Sequence, residues 1–171
     1  MHIYFCADDF GITRSSCDRI AECVNGGCLN KVSVLPNSRL ENIEEKLKAL
    51  KGARLSVHLD LVEGRCVGNA EELSLLTDSE GYFKNEFAGL LLCSVLHKKA
   101  FKQQVKAEIR AQIKRALCIF PFGTPFLLDS HQHTHMIPAV FSTLCEVIEE
   151  DGLDVRYLRM PVEPAMPFLK T

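Results

Sequence analysis

The chain has 171 residues, of which 47% are hydrophobic and 25% charged, a composition typical of a globular domain with a sizeable core. Its formal net charge of −2 argues against nucleic acid or an anionic membrane as the main partner, because both need a basic protein surface. Apolar runs are too short to span a membrane, and the acidic N-terminal segment is unlike a signal peptide, so we expect a cytoplasmic protein.

In its first half the chain alternates short apolar runs with amphipathic segments. The predicted elements are a buried strand over residues 2–7, a helix capped by Ser15 or Ser16 and ended by Gly26-Gly27, a strand over 31–35, a helix over 40–50 and a strand over 54–61. In the last strand, His58 and Asp60 are expected on one face and the leucines on the other.

The pattern weakens from residue 62 to about residue 99, and long segments of this kind often cover a site. The predicted elements here are a helical turn over 71–76, a turn or hairpin over 77–83 and a helix over 85–96. A helix over 101–117, a strand over 126–128, a helix opened by Pro138 and a strand over 154–158 follow. This alternation predicts an α/β fold with a parallel sheet.

Residues 129–135, Asp-Ser-His-Gln-His-Thr-His, form the most informative segment. Four of these residues can bind a metal or move a proton, and the segment follows a predicted buried strand. In parallel α/β sheets, the chemistry is found at the carboxyl ends of the strands. The histidines are therefore expected in a functional loop.

Polar side chains also lie near the end of the other predicted strands or directly after it. The set expected along one rim of the sheet comprises Asp8, Asp9, His58, His131, Arg159 and Glu163. Two histidines and one carboxylate bind catalytic divalent metals while leaving a position for water, and a second carboxylate can take the proton of that water. The sequence therefore predicts a metal site that contains a spare acid.

Each of these signals also has a purely structural explanation. Paired aspartates often form a turn or helix cap, and a lone strand histidine such as His58 is often simply buried and hydrogen-bonded. His131, His133 and His135 could form a surface tract, and Arg159 an ordinary ion pair. Their joint position at strand ends favours the metal site.

The eight cysteines could form disulfides or stay reduced. None of them forms a Cys-x-x-Cys pair, which argues against a structural zinc site. A cytoplasmic protein with an adequate core does not need disulfides, so we expect free thiols.

Three segments resemble the YdjC-like carbohydrate deacetylases, a family that includes the chitooligosaccharide deacetylases. They are Ala-Asp-Asp-Phe-Gly at 7–11, His-Leu-Asp-Leu at 58–61 and Asp-Ser-His-Gln-His-Thr-His-Met-Ile-Pro at 129–138, and Arg-Met-Pro-Val-Glu at 159–163 also fits. The resemblance implies one domain over residues 1–171 with a parallel (β/α) barrel of the deacetylase type. Because a full barrel takes about 250 residues, we expect this one to be incomplete or truncated at its C-terminus.

The resemblance further implies a hydrolase that removes acetyl groups from N-acetylated amino sugars. Carried over, its metal ligands are Asp9, His58 and His131, and they hold one divalent ion. The family metal is commonly magnesium, whereas two imidazoles suit zinc or another transition metal, so the identity stays open.

The mechanism expected for such a site is metal-assisted amide hydrolysis. We expect Asp8 to be the general base and Arg159 to orient Asp8, and either His133 or His135 to protonate the departing amine or to stabilise the oxyanion. The chain departs from the family at Phe126-Leu127, where members often carry Thr-His. The alternatives are hydrolysis of another amide or of a phosphorylated sugar, and a non-catalytic metal- or sugar-binding protein. Open strand edges make a homodimer a further expectation.

Overall fold

The computed structural model describes residues 3–121 and 123–161. Its strands are β1 (Cys6–Phe10), β2 (Lys31–Val34), β3 (Arg54–Leu59), β4 (Phe126–Ser130) and β5 (Val155–Leu158). Its α-helices are α1 (Arg14–Asn25), α2 (Ile43–Lys48), α3 (Phe87–Leu96), α4 (Lys98–Ile119) and α5 (Pro138–Glu150). Two short 3₁₀ segments cover Ala70–Glu72 and His131–Met136.

The five strands form one parallel sheet in the order of the chain, β1 to β5, which confirms the predicted α/β fold. Strands of a (β/α) barrel follow one another in this sequential way. The two edges of the sheet approach each other, because the ring of Tyr4, just before β1, lies 5.7 Å from the ring of Tyr157 in β5. The sheet is therefore strongly curved, as in a barrel.

Each face of the sheet is buried, but the two faces differ in chemistry. The outer face is apolar: Val32, Val34 and Leu55 pack with the side chains of α1 and α2, while Val57 and Leu128 pack with those of α4 and α5. The alternate positions on the inner face are polar and also buried, and they include Lys31, Ser33, Ser56, His58 and Asp129.

The predicted start of the first strand and the predicted cap of the first helix were wrong. The strand begins at Cys6 rather than at residue 2, and it runs through both aspartates to Phe10. Ile3 and Phe5, which supplied the apolar pattern, are largely exposed. Helix α1 is capped by Thr13 rather than by Ser15 or Ser16, since the Thr13 hydroxyl accepts the N–H of Ser16 in a capping box.

The segment between β3 and α3 contains little regular structure, as its sequence predicted. Isolated antiparallel bridges pair Arg65 with Tyr82 and Thr77 with Phe83, so the segment folds back on itself.

All eight cysteines have free thiols, as expected. Among the described residues, no helix combines the length and the apolar character needed to cross a membrane.

Candidate metal centre

Three side chains that are far apart in the sequence meet at the carboxyl end of the sheet. Oδ1 of Asp9 lies 3.1 Å from Nε2 of His58 and 2.7 Å from Nδ1 of His131. Each residue offers one donor atom, and the three donors lie within 4.8 Å of one another. The structure therefore brings together the three residues that the sequence proposed as metal ligands.

The backbone of Asp9 explains how two adjacent aspartates reach different partners. Asp9 has a left-handed φ of 62°, and the pairing of β1 with β2 shifts register between Ala7 and Phe10. Such a bulge re-aims side chains, and a left-handed non-glycine residue is a strained conformation found often at functional sites. Here Asp9 turns towards the two histidines, while Asp8 turns towards Arg159.

A buried carboxylate fixes the orientation of His58. Nδ1 of His58 lies 2.7 Å from Oδ1 of Asp129, which leaves Nε2 facing Asp9. The other oxygen of Asp129 accepts hydrogen bonds from Lys31 Nζ at 2.6 Å and from Ser33 Oγ at 2.7 Å. These four hydrogen-bonded residues are each at most 2% exposed. A carboxylate behind a histidine is the usual outer partner of a metal-binding imidazole.

The pKa values of these groups follow from the contacts. Burial lowers the pKa of His58, but the hydrogen bonds to Asp129 and Asp9 outweigh it and raise that pKa to about 9. The hydrogen bond from His58 lowers the pKa of Asp9 to about 2. Burial opposes the ionisation of Asp129, yet His58 and Lys31 hold its pKa well below the usual range. Both aspartates are therefore ionised at neutral pH.

The three donors fit a divalent cation. One carboxylate oxygen and two imidazole nitrogens form the mixed oxygen and nitrogen set that such ions take, and Asp129 already directs His58 towards the shared point. Cys6, Asp8 and Asp129 also approach one another. That second group is a poor cation site because Arg159 and Lys31 already neutralise its two carboxylates.

Asp8 forms a two-point ion pair beside the three donors. The Arg159 guanidinium donates to Oδ1 of Asp8 at 3.0 Å and to Oδ2 at 2.8 Å, and the Cys6 thiol donates to Oδ1 at 3.3 Å. Burial acts to raise the pKa of Asp8, but the arginine outweighs it and lowers that pKa below its usual value. Asp8 is close enough that its charge contributes to the raised pKa of His58. It is therefore an ionised acid at the centre.

The two remaining histidines differ in environment. His135 is buried; its Nε2 lies 2.9 Å from the carbonyl oxygen of Arg159, and its Nδ1 contacts the Ser130 hydroxyl. His133 is exposed, has a left-handed φ of 54° and places its ring 6.4 Å from that of His135. Within the described residues, no hydrogen bond involves the His133 ring. Glu163, the last of the predicted rim residues, lies outside the described residues.

Sequence reasoning missed four side chains beside the candidate ligands: Lys31, Ser33 and Asp129, which are linked to His58, and Glu63, whose Oε2 lies 3.1 Å from Nε2 of His131. Asp129 belongs to the histidine-rich segment, but no role was inferred for it. A lysine inside the apolar run of β2 was a usable signal, because a buried lysine needs a buried acid as its partner. Glu63 gave no such signal, since it follows β3 in an irregular segment.

A cavity of about 250 Å³ adjoins His131. Its wall includes Glu63, Arg39, Arg65 and Tyr82. Tyr82 is 46% exposed, and the Arg65 guanidinium lies 5.4 Å from the centre of its ring. The cavity therefore offers an aromatic ring and hydrogen-bonding groups next to the candidate metal ligands.

The sequence profile of a family described as "YdjC-like protein" matches residues 2–170. This chain belongs to the YdjC-like family. It is 30% identical to a carbohydrate deacetylase of Danio rerio over 94% of this chain and 50% of that protein. It is also 30% identical to a carbohydrate deacetylase of Thermoanaerobacter pseudethanolicus over 88% of this chain and 57% of that protein.

A chitooligosaccharide deacetylase of Proteus mirabilis is 25% identical over 90% of the YdjC-like chain and 58% of its own length. The chain thus spans about half the length of the curated relatives it matches. A crystal structure from Enterococcus faecalis V583, of a protein named for cellobiose-phosphate cleavage, has a TM-score of 0.73 and 22% identity. It covers 96% of this chain and 61% of its own, and it supports the fold assigned to this YdjC-like protein.

Proposed function

We propose that this protein is a metal-dependent hydrolase that removes acetyl groups from N-acetylated amino sugars of the chitooligosaccharide type. The observation that carries the proposal is the meeting of Asp9, His58 and His131, with the ionised Asp8 beside them. Membership of the YdjC-like family, whose relatives are named carbohydrate and chitooligosaccharide deacetylases, supports the same reaction.

In this proposal, Asp9, His58 and His131 hold one divalent metal ion. When bound, such an ion polarises the acetyl carbonyl and lowers the pKa of water. The family resemblance favours Mg²⁺, and the two imidazoles favour Zn²⁺ or another transition metal. Asp129 keeps His58 in the orientation that ligation requires.

Asp8 acts as the general base. It is ionised, so it can accept the proton of the attacking water, and Arg159 fixes the direction of both carboxylate oxygens. The arginine also makes Asp8 a weaker base, because a carboxylate with a lowered pKa accepts a proton less readily. Arg159 is thus proposed to orient the base rather than to strengthen it.

His133 is the better candidate for the group that protonates the departing amine. Nε2 of His135 must donate its proton to the carbonyl oxygen of Arg159, and its Nδ1 is engaged by Ser130, so neither nitrogen is available. Burial lowers the pKa of His135, which favours this neutral form. The role proposed for His135 is therefore to hold the backbone of Arg159 in place.

The cavity beside His131 is proposed to bind the sugar. The exposed ring of Tyr82 can pack against a pyranose face, and the polar side chains of the wall can bind hydroxyl groups. One observation favours a second candidate substrate, a phosphorylated amino sugar: Arg39 and Arg65 both line the cavity, and arginine is well suited to bind phosphate.

Metal content is the most direct test. The purified protein should contain about one divalent ion per chain, and the double variant His58→Ala, His131→Ala should contain none. Equal content in both would refute the proposed site.

The mass of each protein in solution, measured by light scattering in the same preparations, tests the expected homodimer.

Acetate release from di-N-acetylchitobiose tests the reaction. Release by the metal-loaded protein, and none by the double variant, is the expected result. A panel that adds the phosphorylated disaccharide separates the two substrates. Metal binding without acetate release from any member would favour a non-catalytic metal- or sugar-binding protein.

A further inference from the structure

The imidazole of His131 has a carboxylate at each of its nitrogens. Nδ1 lies 2.7 Å from Oδ1 of Asp9, and Nε2 lies 3.1 Å from Oε2 of Glu63. The same pattern occurs at His58, where Nε2 faces Asp9 and Nδ1 faces Asp129. Each candidate ligand therefore points one nitrogen at the shared aspartate and the other at a carboxylate of its own.

The backbone of Glu63 is fixed on both sides. Its N–H donates to Oδ1 of Asp60 at 3.0 Å, and its carbonyl oxygen accepts a hydrogen bond from Nδ2 of Asn37 at 2.9 Å. Asp60 is buried, and its N–H donates to Oε1 of Gln112 in α4 at 2.9 Å. The Glu63 side chain is 56% exposed, but it extends from a loop that is anchored to the core.

We propose that Glu63 is a positioning residue for His131. Its carboxylate accepts the Nε2–H of the imidazole, so that Nδ1 is the nitrogen whose lone pair can bind a cation. That lone pair points to the site formed with Asp9 and His58. The inference rests on the proposed metal site, and it gives this ligand the same kind of support that Asp129 gives to His58.

Glu63 is not a fourth ligand in this arrangement. The donors that converge are those of Asp9, His58 and His131, whereas Glu63 contacts the nitrogen on the far side of the His131 ring. Its effect on the metal must therefore pass through His131. Because hydrogen bonds of the backbone and of Asp60 hold the loop, we expect the protein to fold without the Glu63 carboxylate.

Two variants and a matched control test the proposal. Glu63→Ala removes the acceptor, Glu63→Gln keeps an acceptor without the charge, and Glu80→Ala removes another exposed glutamate of the same irregular segment. Metal-free protein is titrated with Zn²⁺ and with Mn²⁺. Glu63→Ala should bind each ion about 10- to 100-fold more weakly than the wild type, which is the loss typical when the outer partner of a ligand is removed. Glu63→Gln should lose less, and Glu80→Ala should match the wild type.

A second readout does not depend on metal. Nδ1 of His131 lies 2.7 Å from the ionised Asp9, so in the metal-free protein it is Nε2 that reports on Glu63. In ¹⁵N spectra of the metal-free protein, the Nε2 resonance of His131 should move in Glu63→Ala and stay in place in Glu80→Ala. Melting temperatures of the metal-free variants should equal that of the wild type. Wild-type affinity together with an unmoved Nε2 resonance in Glu63→Ala would overturn the inference, and so would a loss of stability that matches the loss of affinity. Absence of metal binding in the wild type would instead refute the proposed function, and the resonance comparison would still decide whether Glu63 contacts His131.

Discussion

Arg159 and Asp8 are separated by 151 residues and form two hydrogen bonds, one to each carboxylate oxygen. Asp8 lies in β1 and Arg159 directly follows β5, so this ion pair joins the two edges of the curved sheet. The contact between Tyr4 and Tyr157 joins the same two edges. A side-chain contact that joins the two edges of the sheet therefore also orients the proposed base.

Replacement of Asp8 by Asn should separate catalysis from metal binding. The amide cannot accept a proton from water, so kcat should fall by about 10²- to 10⁴-fold, the range typical of a general base. The metal content should stay at the wild-type level because Asp9 is the proposed source of the ligand oxygen. A variant that lost its metal would reverse the roles assigned to the two aspartates.

Replacement of Arg159 by Gln should shift the pH dependence of kcat/KM. Arg159 lowers the pKa of Asp8, so its removal raises that pKa, and the base becomes protonated at a higher pH. The acidic limb of the profile should therefore move to higher pH. Arg156→Gln is the matched control, because Arg156 pairs with Asp154 on the exposed side of β5, and its profile should match the wild type. An unmoved limb in Arg159→Gln would show that Asp8 does not limit the rate in acid.

Replacement of Lys31 by Met should strongly destabilise the protein. The lysine and Asp129 are at most 1% exposed, and removal of one partner leaves a buried carboxylate with less compensation. We expect the free energy of unfolding in urea to fall by about 3–5 kcal/mol. The surface pair of Lys46 with Asp18 offers a control, since Lys46→Met should cost less than about 1 kcal/mol. Equal losses in the two variants would contradict a structural role for the buried pair.

His133 and His135 should respond differently to substitution by Asn. His133→Asn should lower kcat without changing the melting temperature, because the residue is exposed. His135→Asn should lower both, since it breaks the contacts to Arg159 and Ser130 in a buried position, at about 1–3 kcal/mol for polar groups left without partners. A wild-type kcat in His133→Asn would assign the proton donor to another group.

The meeting of the three candidate ligand residues could be predicted because parallel strands share a direction. Asp9, His58 and His131 lie at the ends of β1, β3 and β4, and the carboxyl ends of parallel strands meet at one edge. Apolar periodicity was enough to find the strands themselves, since each buries a face against helices. Boundaries were less predictable, because the apolar residues before Cys6 are exposed.

Local pattern and residue chemistry alone thus determined the α/β fold and the set of side chains able to bind a metal. Tertiary structure decided how those side chains are held. Lys31 lies in β2 and Asp129 in β4, so curvature of the sheet is needed to bring them together across β3. The contact of Glu63 with His131 depends likewise on the path of an irregular loop. Such contacts are set by the three-dimensional course of the backbone, which periodicity along the chain does not encode.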